Sequence, residues 1–394
     1  MNTSYLPAKD TCVAACVTRD RLADAVVLIE SIRRHDAVPV VLAVLGDDGT
    51  GSTHVPRDTT VLNEHDLALP DLHRFLFQYT GVELCCAIKP WLVEKAMAIG
   101  YGRILYLDCD IHVYSPLRAI FDVVCTSTVV LTPHYAATPS NREEAFPPYL
   151  HEVRPAGLYN AGVVGVANTV GGQAFTRWWR HRCRSQSFFD MSGGVNCDQG
   201  WLDFVPIIFD RVQTRTPVGW NVGHWNYLQA DIAEACDGNV TVGGDPLVCF
   251  HFSGFDPSLP ERLSKYDKRN TVIENPVVQR LARDYATTLQ DTRARIPAIS
   301  PKPFATLSDG TKISPLWREA VRVGHRLVAD VANPFDVKST SRLKARLRKA
   351  AIDVLDSRKD WQHEGLKELG KRVQAVPVLG YLYRLVRAAL EQYR

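Results

Sequence analysis

The sequence predicts an α/β fold: a mostly parallel central sheet, Rossmann-like in its opening, flanked by helices and followed by a helical C-terminal extension. Three observations carry that prediction. Residues 11–18 (TCVAACVT) and 38–45 (VPVVLAVL) are nearly unbroken apolar runs, as expected of strands covered on both faces in a parallel sheet. Between them Leu22, Ala25, Val26, Ile29 and Ile32 recur at helical spacing, so the chain opens as strand, helix, strand. Near residue 300 it changes to Pro-interrupted linkers and amphipathic helices, which separates a large domain over 1–300 from an extension over 301–394.

The composition agrees with two bodies. A chain of 394 residues exceeds what one core usually serves. Its 46% hydrophobic and 23% charged residues are ordinary for a globular protein and argue against disorder or a fibrous repeat. The net charge is only +3, yet residues 317–394 hold 17 Lys and Arg against 9 Asp and Glu, so the remainder is mildly acidic. The ten cysteines follow no repeating spacing and form no Cys-x-x-Cys pair, which suggests neither a zinc site nor a disulfide scaffold and fits a reducing cytosol. The first ten residues lack the basic and apolar regions of a secretory signal, and no apolar run approaches the roughly 20 residues that span a bilayer. A cytoplasmic location, peripheral to the inner face of the membrane at most, is expected.

The elements follow in order. After the first strand stands Thr18-Arg19-Asp20 in place of a Gly-x-Gly-x-x-Gly turn, which makes a dinucleotide dehydrogenase an unsuitable reading. Lys89-Pro90-Trp91 is expected to open a helix that runs to Ile99 and stops at Gly100, with Pro in the first turn. The apolar strand 103–107 then ends in Asp108-Cys109-Asp110, and ligands of open α/β sheets collect at such carboxyl ends. Further strands are expected at 129–131, 160–166 and 248–252, an aromatic helix at 173–182, and a polar loop at 132–148.

Several residues have chemistry as well as position. Asp108 and Asp110 alternate along a strand, so both carboxylates would point the same way and reach one hard cation. An isolated Asp-x-Asp carries little information, but acids set in an apolar strand need a partner. His251 ends another apolar strand, where a core histidine is the ordinary explanation; the acid pair and the adjacent Ser253-Gly254 make it a candidate third ligand. An imidazole favours Mn²⁺ over Mg²⁺. Lys89 is a candidate contact for a ligand phosphate or the two acids, and Thr18 and Arg19, at the end of the first strand of a nucleotide-binding type of opening, for a nucleotide, by position. Asn160 offers a donor and an acceptor to ligand hydroxyls, and Gly162 would let backbone approach a ligand. Asp198 and Gln199 are either a helix cap or a polar pair facing the crevice. Trp220, Asn221 and Trp225 would make a ligand-binding platform if core packing does not claim them.

These stretches together resemble a known family. Residues 103–111 (RILYLDCDI) with Ser115-Pro116-Leu117 are similar to the metal-binding strand of GT-A glycosyltransferases, in particular the glycogenin and bacterial lipopolysaccharide galactosyltransferase group often called family 8. Asn160-Ala161-Gly162 resembles that group's Asn-Ala-Gly strand, Asp198-Gln199 its Asp-Gln segment, and His251-Phe252-Ser253-Gly254 its late His-x-x-Gly. Glu83 through Trp91, Trp201-Leu202-Asp203, Asn221 and Trp225-Asn226 extend the likeness to bacterial transferases linked to surface polysaccharides. The resemblance covers roughly residues 11–270. It implies metal ligation by Asp108, Asp110 and His251, donor contacts at Asp108, Asn160, Gly162 and Gly254, and catalytic roles for Asp198 and Gln199. The family follows its Gly with Lys-Pro-Trp; here Phe255-Asp256-Pro257 intervenes and Lys265, the candidate diphosphate contact, comes about ten residues later.

The expected function is therefore metal-dependent transfer of a hexosyl unit from a nucleotide-diphospho-sugar, UDP-linked by resemblance, to a surface-glycan or lipid-linked acceptor, with retention at the anomeric carbon. A sugar nucleotidyltransferase would need a Gly-rich basic loop after the first strand, and Thr18-Arg19-Asp20 does not supply one. A catalytically silent sugar-binding protein is the non-enzymatic alternative. In the extension, Arg342, Lys344, Arg346, Arg348 and Lys349 interleave with Leu343, Leu347 and Ile352 as a basic amphipathic helix suited to an anionic membrane surface. No nucleic-acid recognition motif accompanies this charge. Residues 376–393 have apolar spacing suited to docking on this chain or a second copy.

Overall fold

The computed structural model describes residues 10–135, 155–191, 194–228, 230–267, 272–296, 302–338 and 342–358. The chain divides into two compact units, one of Met1–Leu69 with Val82–Pro303, the other of Pro70–Gly81 with Phe304–Arg394.

In the first unit β1 (Thr11–Thr18), α1 (Leu22–Arg33) and β2 (Val40–Leu45) form the expected opening. The second strand starts at Val40 because Pro39 has no N–H to give the ladder, although its carbonyl still accepts from Val13 at 2.9 Å. β3 (Thr59–Leu62) follows; α2 (Leu72–Phe77) belongs to the second unit. α3 is Gly81–Ile99, so the helix begins well before Lys89-Pro90, and Pro90 lies in its interior. The correction has a physical basis: Leu84, Ala87 and Ile88 are fully buried, and their packing holds a helix that Pro90 deprives of one backbone bond.

The chain continues through β4 (Arg103–Leu107), β5 (Ile111–Val113), α4 (Arg118–Thr126), β6 (Val129–Pro133), β7 (Tyr159–Ala167) and α5 (Val170–Cys183). Short pieces follow: β8 (Phe189–Asp190), β9 (Val195–Asn196), a 3₁₀ turn at Gln199–Phe204, α6 (Val205–Ile208), β10 (Val212–Gln213) and β11 (Val222–Gly223). A small meander of β12 (Ile232–Glu234), β13 (Val240–Val242) and β14 (Asp245–Pro246) leads to β15 (Cys249–His251) and α7 (Pro276–Arg295).

The seven-stranded sheet has the order β10-β6-β7-β4-β1-β2-β3. Its pairs are parallel except those of β7, which runs antiparallel to both β4 and β6. The fold is thus the expected α/β arrangement with a mainly parallel sheet flanked by helices. β1 lies between β2 and β4, so the chain reverses its direction of strand addition there, and the crevice at their carboxyl ends is the natural ligand position. A second sheet, β11-β15-β5, stands at that end.

The second unit is helical: α8 (Pro315–Arg322) and α9 (Leu343–Arg358) share a core with Phe77, Leu307 and Val328. Arg318 ties it together by donating to the carbonyls of Phe77, Tyr79 and Phe304. On α9, Leu343 and Leu347 are buried and Lys344 and Arg346 pair with Asp309 and Asp330, while Arg342, Arg348 and Lys349 are exposed. Residue 300 and the segment 376–393 lie outside the described residues. No helix among the described residues is long and apolar enough to cross a membrane.

Candidate active site

The chain leaves the main sheet at Asp108 and joins the second sheet at Ile111. The Asp108 N–H donates to the Gly162 carbonyl of β7 at 2.9 Å, and the Ile111 N–H donates back to the Asp108 carbonyl at 3.1 Å. Asp108 and Asp110 therefore sit on a tight turn between β4 and β5, not on alternate positions of one strand as the sequence suggested. The sequence showed the apolar runs on either side but not the change of sheet between them.

His251 reaches them through strand register. β15 runs antiparallel to β5 with His251 opposite Ile111, and the Phe252 N–H donates to the Asp110 carbonyl at 2.8 Å. His251 Nε2 then lies 3.0 Å from an Asp110 carboxylate oxygen and 3.9 Å from one of Asp108. One ligand atom from each residue falls within 4.8 Å of the others. Burial alone would raise the Asp110 carboxyl, but His251, with a smaller contribution from Arg21, holds it well below the usual range. Two carboxylates and an imidazole nitrogen are a donor set that fits a divalent cation. Gly162 makes room for this arrangement. A Cβ there would stand 2.3 Å from His251 Cε1 and 2.8 Å from Asn160 Oδ1.

Behind the triad stands a buried charge cluster. Lys89, 2% exposed, projects from the middle of α3 to Asp108 at 3.1 Å and Asp198 at 3.3 Å. Its ammonium also donates to the Ala161 carbonyl at 3.0 Å and lies over the Tyr106 ring, whose hydroxyl donates to Asp108 at 3.0 Å. Burial works against the Lys89 charge, yet Asp108 and Asp198 outweigh it and raise its pKa. Asp198 is pushed up to about 6, by burial first and by Asp108, with Lys89 opposing. Asp198 makes no side-chain cap on the 3₁₀ turn it precedes, so the helix-cap explanation falls away.

Asn160 and Gln199 form a joined amide network. Asn160 Oδ1 accepts from Gly162 N at 2.9 Å and Asn221 Nδ2 at 3.0 Å. Its Nδ2 faces His134 Nε2 and Gln199 Oε1, each at 3.2 Å. A carboxamide has two donors and two acceptor sites, so Asn160 has no polar capacity left for a sugar hydroxyl. Gln199 Oε1 also accepts from Ala161 N at 3.0 Å, and its Nε2 donates to Ala156 O at 2.7 Å. One Gln199 N–H remains. Asn221 donates to Thr132 Oγ1 at 2.8 Å, while its Oδ1 is buried without a hydrogen-bond partner among the described residues.

The other sequence candidates are more scattered. Trp220 is packed into the main core, which removes its face from an acceptor platform. Trp225 is also buried, edge-on to His134 at 5.2 Å and to His251 at 5.3 Å, with its indole N–H unpaired among the described residues. Thr18 and Arg19 are buried at the end of β1, with Arg19 3.2 Å from Asp47. Lys265 is not remote from Gly254: its N–H donates to the Gly254 carbonyl at 3.1 Å, so the intervening residues close a loop. Gly254 has φ +71 and Tyr266 packed where a Cβ would stand. Sequence reasoning missed His134 and Tyr106. Tyr106 was signalled by its place two residues before Asp108 on one strand face; His134, just after β6, gave no signal.

Fold and side chains together define an α/β protein with a carboxylate–imidazole cluster, a candidate cation site, at the carboxyl ends of its central strands. No protein-family model matches the chain. Two uncharacterized proteins of Bacillus subtilis (strain 168) resemble it. YfnF is 26% identical over 245 residues, covering 61% of this chain and 80% of that protein; YfnD is 26% identical over 207 residues, covering 51% of this chain and 63% of that one. Among solved structures it is similar to the galactosyltransferase LgtC in complex with donor and acceptor sugar analogs, at TM-score 0.40 and 15% identity over 73% of this chain and 97% of that one. The glycosyltransferase GlyE of Streptococcus pneumoniae TIGR4 gives TM-score 0.42 and 11% identity over 75% of this chain and 67% of that one.

Proposed function

We propose that this protein is a metal-dependent glycosyltransferase that moves a hexosyl unit from a nucleotide-diphospho-sugar to a glycan or lipid-linked acceptor. The observation that carries the reading is the convergence of Asp108, Asp110 and His251 at the switch point of the sheet, where phosphorylated ligands of such folds bind. Asp108, Asp110 and His251 would hold a divalent cation, Mn²⁺ by the chemistry of the imidazole, which would supply charge neutralisation to a diphosphate leaving group.

The chain's own residues supply the rest. Lys89 offsets the charge of the acids it pairs with, Asp108 and Asp198. Gln199 presents one N–H, a suitable donor to a sugar oxygen. Asp198, near 6, is poised to change protonation close to neutrality and lies beside the same lysine. Thr18 and Arg19 at the end of β1 are the proposed nucleotide contacts, Gly254 and Lys265 the proposed diphosphate side, and Asn221 with Trp225 the remaining acceptor candidates. Retention at the anomeric carbon follows from the family resemblance, with a UDP-sugar as the expected donor. The exposed cations Arg342, Arg348 and Lys349 support contact with an anionic membrane beside a lipid-linked acceptor.

Thermal-shift screening of nucleotide sugars with and without Mn²⁺ tests the donor, because a ligand bound only by the folded state raises the melting point by mass action. NMR of the first-formed product tests the stereochemistry. Mn²⁺-independent turnover, or unchanged turnover in Asp110→Ala, would refute the metal assignment.

A further inference from the structure

We infer that His134 is a positioning residue that braces Asn160, and through it the Gln199 carboxamide whose ends the backbone assigns, so that Gln199 meets substrate as a hydrogen-bond donor; the inference rests on the glycosyl-transfer reading above. Each amide in this network has its orientation set by a backbone group, which leaves no ambiguity between nitrogen and oxygen. His134 Nδ1 lies 2.7 Å from the Gly157 carbonyl, and a carbonyl only accepts, so Nδ1 carries a hydrogen. The ring is 5% exposed, and burial lowers its pKa to about 4, so it is neutral and Nε2 is an acceptor. Its partner at 3.2 Å must then be the Asn160 amide nitrogen. The other end of Asn160 is fixed independently by the Gly162 N–H.

The same logic passes to Gln199. Its Oε1 accepts from the Ala161 backbone N–H and from Asn160, and its Nε2 donates to the Ala156 carbonyl. The carbonyl oxygen is thereby turned into the protein with both acceptor sites occupied, and the single unspent valence is an N–H. Gln199 therefore acts toward substrate as a hydrogen-bond donor to a sugar oxygen, not as a base or a nucleophile through Oε1. His134 cannot swing away easily, because Trp225 packs edge-on against it.

The test compares wild-type full chain with His134→Phe, which keeps the ring and loses both hydrogen bonds, and His134→Gln, whose terminal oxygen can again accept from Asn160. The expected result for His134→Phe is a kcat lower by about 10- to 100-fold, as for loss of other supporting-shell partners, with KM for the donor unchanged, and recovery in His134→Gln. The ¹⁵N side-chain amide signals of Asn160 and Gln199 should shift in His134→Phe and return in His134→Gln. Wild-type kcat in His134→Phe together with unmoved Gln199 signals would overturn the inference. If the wild-type protein transfers no sugar but the amide signals behave as expected, the functional reading fails and the relay stands. Should His134→Phe not fold, His134→Asn keeps the bond to Gly157 and is too short to reach Asn160, so the same losses are expected from it.

Discussion

Gly162→Ala is the most discriminating perturbation of this site, because its one methyl group bears first on the candidate cation ligand His251 and only next on Asn160 Oδ1. The added Cβ would lie 2.3 Å from His251 Cε1, whereas ordinary contact begins near 3.4 Å, so the imidazole must move by about 1.1 Å. Metal–ligand distances hold within about 0.2 Å, so a ring displaced this far no longer completes the triad with Asp108 and Asp110. The expected outcome is Mn²⁺ binding weakened at least about 10-fold, with a stability loss of about 1–3 kcal/mol from overpacking. Gly165→Ala is the matched control. It lies on the same strand, and its Cβ meets Val124 at 2.5 Å and Val130 at 3.1 Å, away from the triad. Isothermal titration with Mn²⁺, alongside urea melts, separates the two effects. Gly165→Ala should lose stability and keep its affinity. Wild-type affinity in folded Gly162→Ala, or an equal loss in the control, would refute the reasoning.

Further outcomes are expected from the neighbouring groups. Lys89→Met leaves Asp198 buried without its cation and should destabilise the protein by about 3–5 kcal/mol at pH 7 in denaturant melts, with partial recovery on acidification. Asp198 itself has a folded pKa of about 6 against an ordinary 3.8. A raised folded value means a stabilising contribution that is complete below about 3.8 and lost as pH rises through about 6, worth about 3 kcal/mol. Metal-free Asp198→Asn should lack that part of the pH slope when melts are compared from pH 4 to 7; an unchanged slope would count against the assignment. In the second unit, Arg318→Met strands the carbonyls of Phe77, Tyr79 and Phe304, and a drop of about 1–3 kcal/mol is expected, read as faster limited proteolysis of that unit with Mn²⁺ affinity unaltered.

Much of this molecule was legible because its strands are apolar on both faces. Residues 11–18, 38–45 and 103–107 stand out without any knowledge of partners, and the acids at the end of the last run mark the crevice. The triad was legible too, since Asp108, Asp110 and His251 each stand at the margin of an apolar run. The start of α3 was not. Pro90 is a strong local signal for a helix start, and only the burial of Leu84, Ala87 and Ile88 overrides it. The aromatic cluster was legible as aromatic, but spacing could not separate Trp220 in the core from Trp225 beside the imidazoles.

The sequence by itself determined the α/β class, the position of the candidate cation ligands and a basic helical extension, because periodicity and residue type are local properties. Tertiary structure alone decided how the pieces meet. Strand register placed His251 opposite Ile111, the turn at Asp108 replaced a continuous strand, and contacts between distant segments joined Lys89 to Asp198 and His134 to Asn160. Those partners are far apart along the chain, and hydrogen bonding and ion pairing depend on distances in space that no pattern along one strand or helix encodes.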